Sequence, residues 1–400
     1  MENVEIILLV ILLVASLVAI ISRRIRLPYT IGLVLAGLLL SLVGSHITLH
    51  LSKELIFTAL LPPLIFEAAF HLRWKDLKPE LPAAITLATL GVVFAAATSC
   101  LVLVFFGGQS WQTALIIGVI LAATDPVSVL ALLKESKLPP RIHRLIESES
   151  IFNDGTAAVL FSLVPLMLIG SATVGQFSIA FVIAVALGIF TGGCVGYLAL
   201  MILGKTEDHL VEITVTTVAA FASFILAEEL HASGVLSTLT AGMILGNLGH
   251  LGSISTKGHE AAASFWEFAG FISNSVIFLL IGIDLAMWQR SGVANLMIWT
   301  IIASFAGRAV AVYLGCLPLH FTKKSVPLPV QHLLFFGGLR GALGLALVLG
   351  LPAETPLREQ IVYAVFVAVA FSIVVQGLTA GWVIKRSESA LSALSRTSME

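Results

Sequence analysis

Apolar stretches of about 20 residues recur along the whole chain, separated by short polar segments. Each is long enough to cross a hydrocarbon core of ~30 Å as a helix. The pattern predicts about thirteen crossings, from residues 6–21 to a last run that ends near Lys385. The connections are short and hold no soluble domain. The fold class expected is an all-α polytopic membrane protein. Residues 1–5 are acidic rather than basic, and no small-residue cleavage site follows the first run. That run is expected to be a retained span, not a signal peptide. The tail after Lys385 is short and Ser-rich, so no cytoplasmic regulatory domain is expected.

Positive charge sorts the loops into two sets. One set carries Arg23, Arg24 and Arg26; Arg73, Lys75 and Lys78; Lys134, Lys137, Arg141 and Arg144; then Lys205, Lys257, Lys323, Lys324, Lys385, Arg386 and Arg396. The other holds Lys53, Arg290 and Arg358. Positive residues favour the cytoplasmic side, which predicts the N-terminus outside and the C-terminus inside. Arg308 and Arg340 fall within spans.

An odd number of crossings has a topological consequence. Two six-span repeats around a linking seventh span would pair each helix with the one seven later, and so would be inverted. Inverted repeats with interrupted helices in matching positions are a hallmark of secondary transporters. The fifth span contains Ala123-Thr124-Asp125-Pro126, where proline removes a backbone donor and disfavours helix at Asp125. The twelfth contains Gly337-Gly338-Leu339-Arg340-Gly341, whose glycines weaken a helix interior. The two breaks lie seven spans apart, although the halves show no clear sequence similarity.

Composition narrows the function class. Hydrophobic residues make up 58% of the 400 and charged residues 11%, against roughly 25% charged in soluble domains. A net charge of -1 with scattered cations leaves no nucleic-acid footprint. Cys100, Cys194 and Cys316 lie in apolar runs without metal or redox spacing. No cofactor is expected. Small residues from Gly188 to Gly196 suit close helix packing.

The remaining signal is polar residues inside apolar spans, where ionisable groups are costly and mark functional sites. On the sixth span Glu149 and Asn153 are four residues apart, as are Ser150 and Asp154, so all four share one helical stripe. Their oxygens suit a small, hard cation such as Na⁺. The plain alternative is a hydrogen-bond network that specifies packing. At the fifth-span break, freed carbonyls such as that of Thr124 are candidate ligands, and Asp125 is a candidate for balancing helix-end dipoles. Glu67, in Leu61-Pro62-Pro63 to Phe70, either faces a cavity or reaches the interface near His71. A buried guanidinium needs a carboxylate. The expectation is that Arg340 pairs with Glu149, and that Arg308 is a structural counter-charge near the Asp125 break.

Ala123-Thr124-Asp125-Pro126-Val127, Glu149-Ser150 with Asn153-Asp154, and Gly338-Leu339-Arg340-Gly341-Ala342, in this order, resemble the monovalent cation:proton antiporter-1 family. That family includes NhaP-type Na⁺/H⁺ antiporters and animal sodium/hydrogen exchangers. Leu61-Pro62-Pro63 to Glu67 and Gly307-Arg308-Ala309-Val310 also resemble family segments, so the likeness covers essentially the whole chain. It implies an NhaA/NhaP-like fold with broken helices 5 and 12. It implies that Asp154 binds cation and proton alternately, with Ser150, Glu67 and the Thr124 carbonyl in the cation site and Asp125 as the broken-helix acid. Asn153 matches the position that is Asn in electroneutral exchangers and Asp in many electrogenic relatives. Glu149 and Arg340 match a stabilising ion pair. The resemblance further implies a homodimer. Its core bundle is expected at about 81–170 and 293–384, its dimerisation bundle at about 3–70 and 210–284, and its linking helix at about 176–203.

The function expected is electroneutral exchange of Na⁺ or Li⁺ for H⁺ across a prokaryotic plasma membrane, without enzymatic chemistry. A carboxylate in a partly dry site can hold either a proton or a cation. Both neutralise it, whereas the empty anion costs several kcal/mol to carry through apolar surroundings. K⁺/H⁺ or mixed exchange is the alternative on the same scaffold, and a cation channel the alternative of another class.

Overall fold

The computed structural model describes residues 4–25, 27–42, 52–125, 133, 136, 138–168, 173–249, 254–287, 294–320 and 326–397. Arg26, Pro126, Lys134, Lys137, Arg290, Lys323 and Lys324 of the sequence argument lie outside these residues. The described chain is helical, with one isolated bridge between extended residues. Helices are α1 Val4–Ile25, α2 Tyr29–Leu42, α3 Leu55–His71, α4 Leu81–Phe105, α5 Trp111–Ile120, α6 Pro140–Ser162 and α7 Val174–Leu203. They continue as α8 His209–Glu229, α9 Gly234–Leu248, α10 Thr256–Met287, α11 Ala294–Gly315, α12a Leu328–Gly337, α12b Ala342–Leu349 and α13 over 358–397. Each apolar run of the sequence thus has its helix, and both expected interruptions are present, after α5 and between α12a and α12b.

Among the described residues, six helical segments are long and apolar enough to cross a bilayer: Leu81–Phe105, Gly175–Leu203, His209–Glu229, Thr256–Leu285, Ala294–His320 and Arg358–Ala390. Five shorter apolar helices accompany them, and two of these, Trp111–Ile120 and Leu328–Gly337, stop at the interruptions. Their shortness has a local cause, since the chain leaves helical geometry there.

The chain forms two compact units. The first comprises residues 1–51, 80–153 and 275–400. Its core joins Leu87, Ile142, Leu145, Ile146, Val312, Leu333, Leu334, Leu339, Val383 and Ile384. It therefore gathers α4, the start of α6, α11, α12a and α13 around the second interruption. The Ser99 hydroxyl donates to the Ala303 carbonyl at 3.0 Å, fastening α4 to α11. Leu121, Thr124, Leu339 and Arg340 are all buried, so both breaks lie inside the unit.

The second unit comprises residues 52–79 and 154–274. Phe66 and Trp266 pack with ring centroids 4.4 Å apart, inside a core that includes Phe70, Leu200, Leu203, Ala220, Ala241 and Leu245. The small-residue stripe on α7 does what its composition suggests. Gly188, Gly192 and Gly196 each face α9, and a Cβ at Gly192 would overlap the Ser237 carbonyl. Glu212, buried on α8, accepts from the Ser255 amide at 2.9 Å and its hydroxyl at 3.0 Å. It thereby closes the start of α10, where free amides and the helix dipole favour a carboxylate.

Candidate functional site

Two helix interruptions meet within the first unit. The α5 helix ends at Ile120, and the chain reaches Asp125 through non-helical residues. The α12a helix ends at Gly337, where Gly338 makes a tight inverse turn (φ -80°, ψ 64°) and Leu339 N donates to the Gly337 carbonyl at 2.9 Å. The α12b helix then starts at Ala342. Between them the Asp125 amide donates to the Leu339 carbonyl at 2.7 Å, an antiparallel contact between the two extended segments.

Broken helices leave carbonyls without partners, and cations near a helix C-terminus are favourable. The two buried arginines meet this need. Arg340 donates from Nη1 to the Ala123 carbonyl at 3.1 Å, from Nη2 to the Ser304 carbonyl at 2.9 Å and from Nε to the Ser304 hydroxyl at 2.9 Å. Arg308 donates from Nη2 to the Leu334 carbonyl at 2.7 Å, in the last turn of α12a. Arg340 thus serves the break in the first half of the chain, and Arg308 the end of α12a in its own half.

The ion pair differs from the expected one. Arg308 Nη1 lies 2.7 Å from Glu149 Oε1, and Nη2 lies 3.1 Å from Oε2. Both side chains are almost fully buried, at 4% and 2% exposure. The partner of Glu149 is therefore Arg308 and not Arg340. The physical reason is register: Ser304 and Arg308 are four residues apart on α11, so one stripe supplies a carbonyl and hydroxyl to Arg340 and a guanidinium to Glu149. Arg340 lies in the extended segment, where it reaches the end of α5 instead.

From this pair a chain of polar contacts runs to the first break. Asn153 Nδ2 donates to Glu149 Oε1 at 3.3 Å and to Thr124 Oγ1 at 3.2 Å. Thr124 Oγ1 lies 3.4 Å from Ser150 Oγ. Glu149, Ser150, Asn153 and Thr124 are all buried. The Asn153 Oδ1 is buried and has no hydrogen-bond partner among the described residues. The structure thus brings Thr124, Glu149, Ser150 and Asn153 together with Arg308, and places Asp125 in the crossing. Uncharged oxygens of this kind suit a small cation released from water. Asp154 is half-buried on α6, one helical turn beyond Ser150. Glu67 lies in the second unit, with its Oε1 3.6 Å from His71 Nδ1 and its side chain against Gly270.

Two glycines of the second break are required by space. A Cβ at Gly338 would overlap the Arg308 guanidinium, and one at Gly341 would overlap the Asp125 side chain. A Cβ at Gly344, in the first turn of α12b, would meet the Ile120 carbonyl at an ordinary 3.5 Å. Gly341→Ala is expected to destabilise the protein by about 1–3 kcal/mol, the usual cost of overpacking. Gly344→Ala is expected to stay within about 0.5 kcal/mol of wild type. Thermal unfolding in detergent reads the contrast, and equal stability of the two variants would contradict the crossing geometry.

The sequence profile of the family described as sodium/hydrogen exchanger, transmembrane, matches residues 9–386. The chain belongs to that sodium/hydrogen exchanger family. It is 40% identical over 391 residues to a Na⁺/H⁺ antiporter of Aphanothece halophytica, covering 96% of this chain and 75% of the relative. It is 29% identical over 399 residues to the Na⁺/H⁺ antiporter NhaH of Halobacillus aidingensis, covering 96% and 98%. Its fold matches that of a sodium proton antiporter from Methanocaldococcus jannaschii, with a TM-score of 0.77 and 19% identity over 94% of this chain and 96% of the other. The polytopic antiporter fold inferred from the sequence is thus the fold of this exchanger-family chain.

Ser304, Ser372 and Gln376 escaped the sequence reading, although all three are buried around the crossing. Their signal was available. Ser304 stands one turn before Arg308, and Ser372 and Gln376 form a four-residue polar pair in an otherwise apolar stretch.

Proposed function

We propose that this exchanger-family protein is a secondary active antiporter that exchanges Na⁺ or Li⁺ for H⁺ without net charge movement. Asp154 is the carboxylate that holds the cation and the proton in turn. The observation that carries this reading is the buried polar chain from Arg308 through Glu149 and Asn153 to Thr124 and Ser150, beside two crossed helix breaks. That chain has two features an exchanger needs. Both buried guanidiniums are engaged, Arg308 by Glu149 and Arg340 by the Ala123 and Ser304 oxygens. The residue beside Asp154 on α6 is an amide, so only one titrating group stands there to be traded between ions.

The proposed cation ligands on and beside α6 are Asp154, Ser150 and the Thr124 carbonyl, with Asp125 balancing the helix ends. Na⁺ and H⁺ are substrates of this reaction rather than resident groups. Only the neutralised carboxylate crosses between inward- and outward-facing states, because moving the bare anion through apolar surroundings costs several kcal/mol. That penalty couples the two gradients by alternating access, with no covalent step. The relatives' Na⁺/H⁺ antiport supports this choice of substrates. A homodimer in a prokaryotic plasma membrane, with the N-terminus outside, completes the proposal.

The test is exchange in proteoliposomes loaded with a pH-sensitive dye. Inward Na⁺ or Li⁺ gradients should drive proton efflux at rates that a clamped membrane potential changes by less than about two-fold. K⁺ should be much less effective. Potassium-driven exchange of equal rate would move the selectivity to the K⁺/H⁺ alternative. A cation current without proton movement would identify a channel and reject the exchange mechanism.

A further inference from the structure

The crossing of the two broken helices depends on a residue pair outside both of them. The α13 helix contains one π-helical turn, Ser372–Gln376, and turns of this kind often sit at functional sites. Both Ser372 and Gln376 are buried, at 1% and 4% exposure. The Ser372 hydroxyl donates to Gln376 Oε1, and the Ser372 oxygen accepts the Arg340 amide at 3.2 Å.

The decisive geometry is that of one peptide group. The Leu339–Arg340 peptide carries its carbonyl to the Asp125 amide at 2.7 Å and its N–H to Ser372. A planar peptide held at both ends cannot rotate without losing one bond. Ser372 therefore sets the plane of the peptide that locates Asp125, and through it the adjoining Thr124. Gln376 sets the polarity of the tie. By taking the Ser372 proton, it leaves the hydroxyl's lone pairs turned to the Arg340 amide. In apolar surroundings that amide has left helical bonding, and an unsatisfied donor there is costly.

We propose that Ser372 and Gln376 are positioning residues for cation exchange, holding the broken-helix crossing in the geometry that binds the cation. This rests on the exchange reading above. The tie acts on the oxygens that receive the ion and not on the titrating carboxylate, so it governs apparent Na⁺ affinity more than maximal rate.

The test uses the full-length chain in proteoliposomes, with Na⁺-dependent proton efflux measured over a range of Na⁺ concentrations. Ser372→Ala and Gln376→Leu should each raise the half-saturating Na⁺ concentration about ten-fold while maximal rate stays within about two-fold. Ser372→Thr, which keeps the hydroxyl, should restore the wild-type value. Hydrogen exchange followed by mass spectrometry should show the segment around Arg340 exchanging faster in Ser372→Ala than in wild type, in buffer free of Na⁺ and Li⁺.

An unchanged half-saturating concentration in both variants would overturn the proposal. So would a shift that Ser372→Thr reproduces, or unaltered amide exchange around Arg340. Should Ser372→Ala fail to fold, Gln376→Leu keeps the hydroxyl and decides alone, by the same shift or its absence. Wild-type vesicles that move no protons with Na⁺ would reject the exchange reading, while the amide measurement would still decide whether the tie exists.

Discussion

Arg308→Ala is expected to destabilise the protein by about 3–5 kcal/mol, the usual cost of stripping one partner from a buried ion pair. The loss is large because Glu149 is 2% exposed beside a guanidinium that forks onto both its oxygens. Without Arg308 that carboxylate stays buried with the Asn153 amide as its remaining hydrogen-bond donor among the described residues. The Leu334 carbonyl at the end of α12a loses its donor as well. Total stabilities of about 5–15 kcal/mol are ordinary for folded domains, so folded yield and thermal midpoint should both fall sharply. Adding Glu149→Ala should recover much of the loss, since the double variant buries no unpaired charge. The same second change should not rescue Arg340→Ala, whose guanidinium serves the Ala123 and Ser304 carbonyls and the Ser304 hydroxyl. If Glu149→Ala rescued Arg340→Ala instead, the partner assignment would be reversed. Fluorescence-detected size exclusion over a temperature ramp measures all four variants.

That exchange of partners shows where a sequence stops being legible. Hydropathy located the helices because a bilayer-crossing helix must be apolar along its whole length. The interruptions were legible too. A proline after Asp125 and a glycine cluster around Arg340 are local chemical causes that act without tertiary help. The stripe Glu149, Ser150, Asn153 and Asp154 followed from helical spacing alone. Which arginine meets Glu149 did not, because both are buried cations of the same type, and the choice depends on how α11 and the extended segment of α12 present them. The Ser304–Arg308 spacing carried the information, but only relative to a crossing that the sequence does not show. Ser372 and Gln376 were missed for a different reason. Serine and glutamine in an apolar span cost far less than a charge, so their four-residue spacing was a weaker signal than a buried carboxylate or guanidinium. Their role comes from a π turn and one peptide plane.

Asp154→Asn is expected to reduce Na⁺-driven proton movement to the level of empty liposomes. The amide is nearly the same size, so folding should survive. It cannot take up and release a proton near neutral pH, so nothing remains to trade against the cation. On the proposed reading the change also removes the charge that holds Na⁺, leaving neutral oxygens such as the Thr124 carbonyl and the Ser150 hydroxyl. Either loss alone would break coupling, and together they leave no residual exchange through this site. The neighbouring amide matters to the argument: Asn153 offers no second carboxylate on that turn of α6 to take over the role.

The most direct test of competition at one carboxylate is proton release on cation binding. Purified protein in weakly buffered detergent solution, with a pH-indicator dye, is titrated with NaCl near neutral pH. The account predicts release that saturates at up to one proton per chain, shifts to higher Na⁺ as pH falls, and vanishes in Asp154→Asn. Undiminished release from Asp154→Asn, or saturable Na⁺ binding by the wild type without release at any pH, would contradict it.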